Sequence, residues 1–321
     1  MRVAVLFAGG GFSATGHVLA GDEVAFLAEL DRNCRETLDL NFPGVPVAGD
    51  VREIHGDEVL QAAGSEVDVL DCSPPCQSFS TAGLQDLDSD NAMLLHEVPR
   101  IAGGMDPRPR VVLVENVPGL VRGRAKTRHF DHLVWGLRAQ GYRIGARKID
   151  SSWLGVGQRR VRVFVVGVRE DLGLDPVAAF PNYESRRTVM GDALPGAAAL
   201  VRIPRESWEP GQLCCRDERR WMASEPAPTM TTKGVAGGKD AAHLEEARIE
   251  EADSSLRELT VDDGRALAGV PPTFRFPAGM SRKACWKLLG NGVPPPVAMA
   301  FARSIRGALE GRSGERTPPS R

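Results

Sequence analysis

Short apolar, β-branched runs at 2–7, 23–29, 67–71 and 110–115 each end in a loop of Gly, Pro or polar residues, and helix-like stretches separate them. Strands alternating with helices in this way form a parallel sheet with crossover helices, an α/β arrangement. The first run ends in Ala8-Gly9-Gly10-Gly11, the third leads into Ser73-Pro74-Pro75-Cys76-Gln77, and the fourth into Asn116-Val117-Pro118-Gly119. Ligands of open α/β sheets bind beyond the carboxyl ends of the strands, so chemistry is expected at these loops.

The rest of the chain divides by texture. After a β-branched run at 161–168, residues 172–255 carry many Pro and Gly, with Trp208, Trp221 and scattered Arg, and no strand–helix alternation. They are expected to form a smaller, irregular domain beside the large domain 1–171. Regular patterning resumes at Leu256, and a proline-started helix is expected to run to about Leu309, so 256–309 reads as a return segment that completes the large domain. The polar, Pro-rich stretch 310–321 is expected to be a disordered tail.

Among 321 residues, 40 basic and 42 acidic side chains leave a net charge of −2, which excludes a polycation that coats nucleic acid indiscriminately. No apolar run approaches the ~18 residues that cross a bilayer, and the first strand reaches glycine before a signal-peptide core is built, so a cytoplasmic location is expected. The six cysteines include no CxxC pair. Neither a zinc site nor a disulfide framework is expected, and His129 with His132 lack a third ligand, so no metal is expected.

The strand-end loops supply the candidate site. The glycine turn lets backbone amides approach an anionic or nucleoside ligand, although it also serves as a plain tight connection. Glu29, at the end of the second run, is placed to accept hydrogen bonds from ribose hydroxyls, and Asp50, after the next short run, from an adenine amine. Cys76 follows two prolines that stiffen its backbone, a setting for an exposed nucleophilic thiol rather than an inert core cysteine, the reading given to Cys34 and Cys285. Glu115 ends an apolar strand, so its carboxyl is expected at the sheet rim, partly desolvated and with a raised pKa. Gln158, Arg160 and Arg162 alternate and are expected to share one face of a strand.

In this order and spacing the segments LFAGGG, AELD, GDV, SPPCQSFSTAG, ENV, QRRVR and LGNGVPPPVA resemble the motifs of the DNA (cytosine-5) methyltransferases over nearly the whole chain. The resemblance implies a Rossmann-like sheet with helices on both faces that binds S-adenosyl-L-methionine (AdoMet), and a target recognition domain within 172–255. It places AdoMet against Phe7, Ala8, Gly9, Gly10, Gly11, Glu29, Leu30, Asp50, Val51, Pro75, Asn291 and Val293. It makes Cys76 the nucleophile that attacks cytosine C6 and Glu115 the group that bonds N3. Arg162 would hold the base O2, and Arg160 would order the nucleophile loop. Gln77, Ser80, Gln158, Thr229, Thr231, Thr232 and Lys233 are its implied DNA contacts, and Arg216, Arg219 and Arg220 form a further basic cluster. Four positions depart from the family's habit: Val5 stands where Asp is usual, Phe12 where Gly is, Gly157 where Pro is, and Gly292 where Ala or Ser is.

The implied substrate is double-stranded DNA, methylated at a specific sequence after the target base is flipped from the helix, by a monomer that a cognate restriction endonuclease can accompany. A tRNA-methylating member of the same family and a catalytically silent DNA-binding relative are the alternative readings. A nicotinamide dehydrogenase would share the glycine turn but explains neither PPCQ nor ENV.

Overall fold

The computed structural model describes residues 1–79, 86–202, 219–232, 234–237, 240–243 and 247–311. Seven strands, β1 (Arg2–Leu6), β2 (Glu23–Ala28), β3 (Val47–Ala48), β4 (Val69–Cys72), β5 (Val111–Asn116), β6 (Tyr142–Asp150) and β7 (Val161–Arg169), form one sheet in the order β3-β2-β1-β4-β5-β7-β6. Neighbouring strands from β3 to β5 are parallel, whereas β7 runs antiparallel to both β5 and β6. The sheet is therefore mixed. Strand direction is not encoded in a β-branched run, which is why the pattern of 161–168 gave no warning of the reversal.

The sheet is covered on both faces, as near-continuous apolar strands require. Leu6, Leu70, Val112 and Val114 lie in one buried cluster; Val3, Val5 and Leu113 lie in the other, with Phe301 and Ile305 of the helix Pro295–Leu309. That helix begins on proline and ends where the sequence places it. Phe180 also packs on Phe301, with ring centroids 5.9 Å apart, so the chain just past residue 172 adheres to the large sheet.

Beyond it the expected irregular domain contains two small antiparallel sheets. Strands β8 (Ala197–Arg202), β9 (Arg219–Met222), β10 (Thr229–Thr231), β11 (Gly234–Gly237), β12 (Asp240–His243), β13 (Ala247–Glu251) and β14 (Leu256–Glu258) arrange as β14-β13-β8-β9 and β10-β11-β12. These strands are three to six residues long, too short for alternation to rise above the glycines and charges around them. Because β14 pairs with β13, the four-stranded sheet extends past residue 255 to Glu258. A third apolar cluster joins Leu200, Met230 and Ile249 of these sheets to Trp286 and Leu289 of the helix Arg282–Asn291.

Candidate active site

The carboxyl ends of β1, β2, β4 and β5 open into a cavity of about 440 Å³, closed on its far side by the helix Arg282–Asn291 and the residues after it. Phe7 turns the chain out of β1 with φ of +56°, in a region non-glycine residues rarely adopt, and Gly9 follows at +55°. Gly11, φ +88°, is the residue before the helix Phe12–Leu19; its amide bonds the Ala8 carbonyl, and it stands behind the cavity wall that Phe7, Ala8, Gly9 and Gly10 form. The Glu29 carboxylate fixes this loop from β2, accepting from the Gly9 amide at 2.7 Å and the Asp31 amide at 2.8 Å. Leu30, 66% exposed, and Val51 line the same end. Asp50 also lines it, with its carboxylate gripped by Arg52 in a contact that holds it below the usual carboxylate range.

At the other end stand Pro75, Cys76, Gln77, Glu115, Arg160 and Arg162. Arg162 Nε lies 3.1 Å from Glu115 Oε1, an ion pair without hydrogen-bond alignment, so that buried oxygen has no aligned donor among the described residues. Burial pushes the Glu115 carboxyl up, and the two guanidiniums only partly offset it. Burial likewise raises the Cys76 thiol, reinforced by the Glu115 charge and opposed by Arg162 and Arg160. Cys76 is thus mostly protonated in the free protein. Its alkylation by iodoacetamide, followed on the Cys76 peptide, is expected to be slow at pH 7 and to accelerate above the ordinary thiol range. Fast labelling at pH 7 would contradict this electrostatic balance.

Gln158, Arg160 and Arg162 do not share one strand face. Strand β7 begins only at Val161, and the three side chains diverge. Gln158 is fully buried and its Oε1 accepts from the Met230 amide at 2.9 Å, tying the large sheet's rim to β10. Arg160, 3% exposed, donates to the Gly290 carbonyl at 2.8 Å and to the carbonyls of Met230 and Asn291 at 3.4 Å. It clamps the return segment and β10 behind the cavity. Only Arg162 turns to Glu115.

Asn291 and Val293 line the cavity from the return segment, with Lys287 and Leu288 that sequence reasoning passed over. Lys287 reaches Asp31 at 2.7 Å across the mouth. Thr229 donates to the Arg159 carbonyl at 2.5 Å, and Thr231 and Thr232 lie at the end of β10; none of the three lines the cavity. Arg220 pairs with Glu250 at 2.9 Å, so part of the expected phosphate cluster is committed within its own sheet. Ser80, Lys233 and Arg216 lie outside the described residues, as does the Arg219 side chain. His129 bonds the Leu87 carbonyl at 3.0 Å through Nε2, and His132 stacks on His96.

Two of the departures explain each other. A Cβ on Gly292 would stand 2.2 Å from Phe12 Cδ2, so the large residue at 12 requires the small one at 292. Phe12 fills the space and packs on Phe274, with centroids 4.9 Å apart. Gly157 has the same logic: its Cβ would meet that of Ala193 at 2.6 Å. Gly292→Ala should destabilise the protein by about 1–3 kcal/mol in urea unfolding, and by less in a Phe12→Leu background. Equal losses in both backgrounds would mean that the two sites are independent.

The mixed α/β sheet, with a glycine loop, a thiol and a buried carboxylate at its strand ends, is a Rossmann-like arrangement. The profile of the C-5 cytosine-specific DNA methylases matches residues 1–207. The chain belongs to that family and is a DNA (cytosine-5) methyltransferase. Among curated relatives, Type II methyltransferase M.DsaV of Dactylococcopsis salina is 27% identical over 94% of this chain and 84% of its own length. M.FnuDI of Fusobacterium nucleatum is 27% identical over 96% and 95%. In fold the chain is similar to a putative DNA modification methyltransferase of an E. coli prophage, at TM-score 0.69 and 20% identity over 97% and 99% of the two chains. It is also similar to S. pombe Dnmt2, at 0.67 and 16% over 97% and 99%.

Proposed function

We propose that the protein methylates C5 of cytosine at a specific sequence in double-stranded DNA, with AdoMet as the methyl donor, through a transient Cys76–C6 bond to a flipped base. The observation that carries this reading is the placement of Cys76, Glu115, Arg160 and Arg162 on one wall of the cavity whose opposite end is built from the glycine loop and Glu29. The donor set suits an adenosyl sulfonium. The cavity offers carboxylates at Glu29 and Asp50, and its Ser73 hydroxyl is buried without a hydrogen-bond partner among the described residues. Phe7, Ala8, Gly9, Gly10, Glu29, Leu30, Asp50, Val51, Pro75, Asn291 and Val293 are proposed to hold it. When bound, AdoMet supplies an electrophilic methyl group.

Cytosine C5 is a poor nucleophile until something adds to C6. In the proposed reaction the Cys76 thiolate forms a bond to C6 while Glu115, carrying a proton, donates to N3 and stabilises the charge that develops in the ring. The two ionisations oppose one another, so protonation of Glu115 and ionisation of Cys76 go together. A protonated Glu115 no longer repels the thiolate, which leaves burial alone against the pull of Arg160 and Arg162 on Cys76. Arg162, 3.1 Å from Glu115, is proposed to bond the base O2 and hold the carboxyl in place; Arg160, whose hydrogen bonds go to the carbonyls of Met230, Gly290 and Asn291, positions β10 and the return segment rather than the nucleophile loop that the resemblance implies. Once C5 carries the methyl group, solvent takes the C5 proton, the C5–C6 double bond re-forms as the Cys76–C6 bond breaks to release the thiolate, and N3 returns its proton to Glu115, which restores aromaticity.

The stacked duplex hides C6, so the base must be extruded. Gln77 and Ser80, which follow the nucleophile in sequence, and Thr229, Thr231, Thr232 and Lys233 are proposed as DNA contacts, with 172–255 as the core of the recognition domain; Gln158, buried against the Met230 amide, has a structural role instead. A cytoplasmic location and a cognate restriction endonuclease as companion are part of the same proposal. Tritium transfer from labelled AdoMet is expected to favour duplex DNA over tRNA, and bisulfite sequencing of DNA from expressing cells should give a single recurrent motif. A preference for tRNA would overturn the substrate assignment.

A further inference from the structure

Behind the cavity lies a buried ionic chain that the reaction above does not use. The Ser13 hydroxyl, from the first turn of the helix Phe12–Leu19, donates to Asp71 Oδ2. His17 Nε2 lies 3.4 Å from the same carboxylate, and its Nδ1 is 2.8 Å from Asp22, which also takes Arg306 of the helix Pro295–Leu309. His17 and Asp71 are 0% and 2% exposed. Burial alone would push the imidazolium down, but the carboxylates on either side overcome it and raise the His17 pKa to about 9, so a cation is held between the helix Phe12–Leu19 and the sheet, beside Asp71. Asp71 is also the register partner of Val5 on the neighbouring strand. The acid absent at Val5 is thus present one strand over.

Ser13 lines the cavity and Asp71 does not. A hydroxyl has one proton to donate and two lone pairs. Since a carboxylate only accepts, the proton of Ser13 is committed behind the wall, and what the residue offers forward is a hydrogen-bond acceptor. Ser73, just after β4, adds the unpartnered hydroxyl already noted. The place of these hydroxyls is informative. Glu29 and Asp50 mark the nucleoside end over β2 and β3, and the methyl group must face Cys76 beyond β4, which leaves the third arm of the sulfonium over β1 and β4, where Ser13 and Ser73 stand. That arm ends in an ammonium and a carboxylate, and the ammonium needs acceptors.

We propose that Ser13, oriented by Asp71, accepts a hydrogen bond from the α-ammonium of AdoMet and that Ser73 faces the same amino-acid end. Asp71 acts through Ser13 and is a positioning residue. The inference rests on the AdoMet reading above, and the test separates the two. Calorimetric titration of the full chain uses S-adenosylhomocysteine, which keeps the ammonium, and 5′-methylthioadenosine, which lacks the whole amino-acid arm. Ser13→Ala is expected to weaken S-adenosylhomocysteine about tenfold, the scale of a hydrogen bond to a charged group, and to leave 5′-methylthioadenosine within about twofold. Asp71→Asn, which frees the hydroxyl to turn, should reproduce the selective loss in smaller degree. Equal weakening of both ligands in Ser13→Ala, or unchanged binding of S-adenosylhomocysteine, would overturn the assignment. A wild-type protein that bound neither ligand would instead remove the AdoMet reading beneath it.

Discussion

Cys76→Ala is expected to lose methyl transfer to duplex DNA below detection while binding of S-adenosylhomocysteine stays largely intact. Among the described residues that line the cavity, no other group replaces the thiol. Glu115 is a weaker nucleophile toward C6, and burial favours its protonated form. Cys34 also lines the cavity, but beside Asp31 at the mouth, where burial and the neighbouring carboxylates raise its thiol far out of the reactive range. Ligand binding should survive because the glycine loop, Glu29 and the return segment owe nothing to the sulfur. The direct observation is trapping on an oligonucleotide with 5-fluorocytosine at the target. The fluorine at C5 cannot leave as a proton does, so the wild-type protein should remain joined to DNA as a band stable to denaturant, and Cys76→Ala should give none. A covalent band in the Ala variant would reassign the nucleophile. Loss of ligand binding together with activity would point to a folding defect.

How much of this was legible beforehand follows from where each signal lives. The loops after β1, β4 and β5 were readable because glycine, proline and polar residues interrupt apolar runs there, and such interruptions in an α/β chain mark the rim where ligands bind. Cys76 and Glu115 inherit their place from those strand ends, so their meeting at one wall needs only the adjacency of β4 and β5. Strand β6 was missed because Arg143, Arg147 and Lys148 break its apolar pattern at the sheet edge. The alternation of Gln158, Arg160 and Arg162 misled because two of the three precede the strand. Compensation between Phe12 and Gly292, and the chain from Ser13 through Asp71 and His17 to Asp22, join segments far apart in sequence. No local pattern announces them; only packing brings a ring against a missing Cβ or a carboxylate against an imidazolium.

Glu115→Gln should slow methylation by about 10²–10⁴-fold, the range of general-acid and charge-stabilising contributions taken together. Glutamine keeps the shape and can still offer an N–H to the ring, but it cannot deliver a proton to N3, so the charge that builds up as Cys76 adds to C6 remains on the base. The same substitution should move the thiol in the opposite sense. The Glu115 charge is one of the causes that raise Cys76, and Arg162, 3.1 Å from that carboxylate, is partly neutralised by it. Removing the carboxylate takes away the repulsion and leaves both guanidiniums acting on the sulfur, so the Cys76 pKa should fall and the thiolate fraction at neutral pH should rise. Iodoacetamide should then label Cys76 faster in Glu115→Gln than in the wild type at pH 7, even as methylation collapses. A variant that merely unfolded the site would also lose the ordered binding of S-adenosylhomocysteine, whereas one with an intact site and a freer thiolate would keep it. If labelling slowed or stayed the same, the carboxylate would not be controlling the thiol, and the reciprocal ionisation of Glu115 and Cys76 would have to be abandoned even with the nucleophile itself secure.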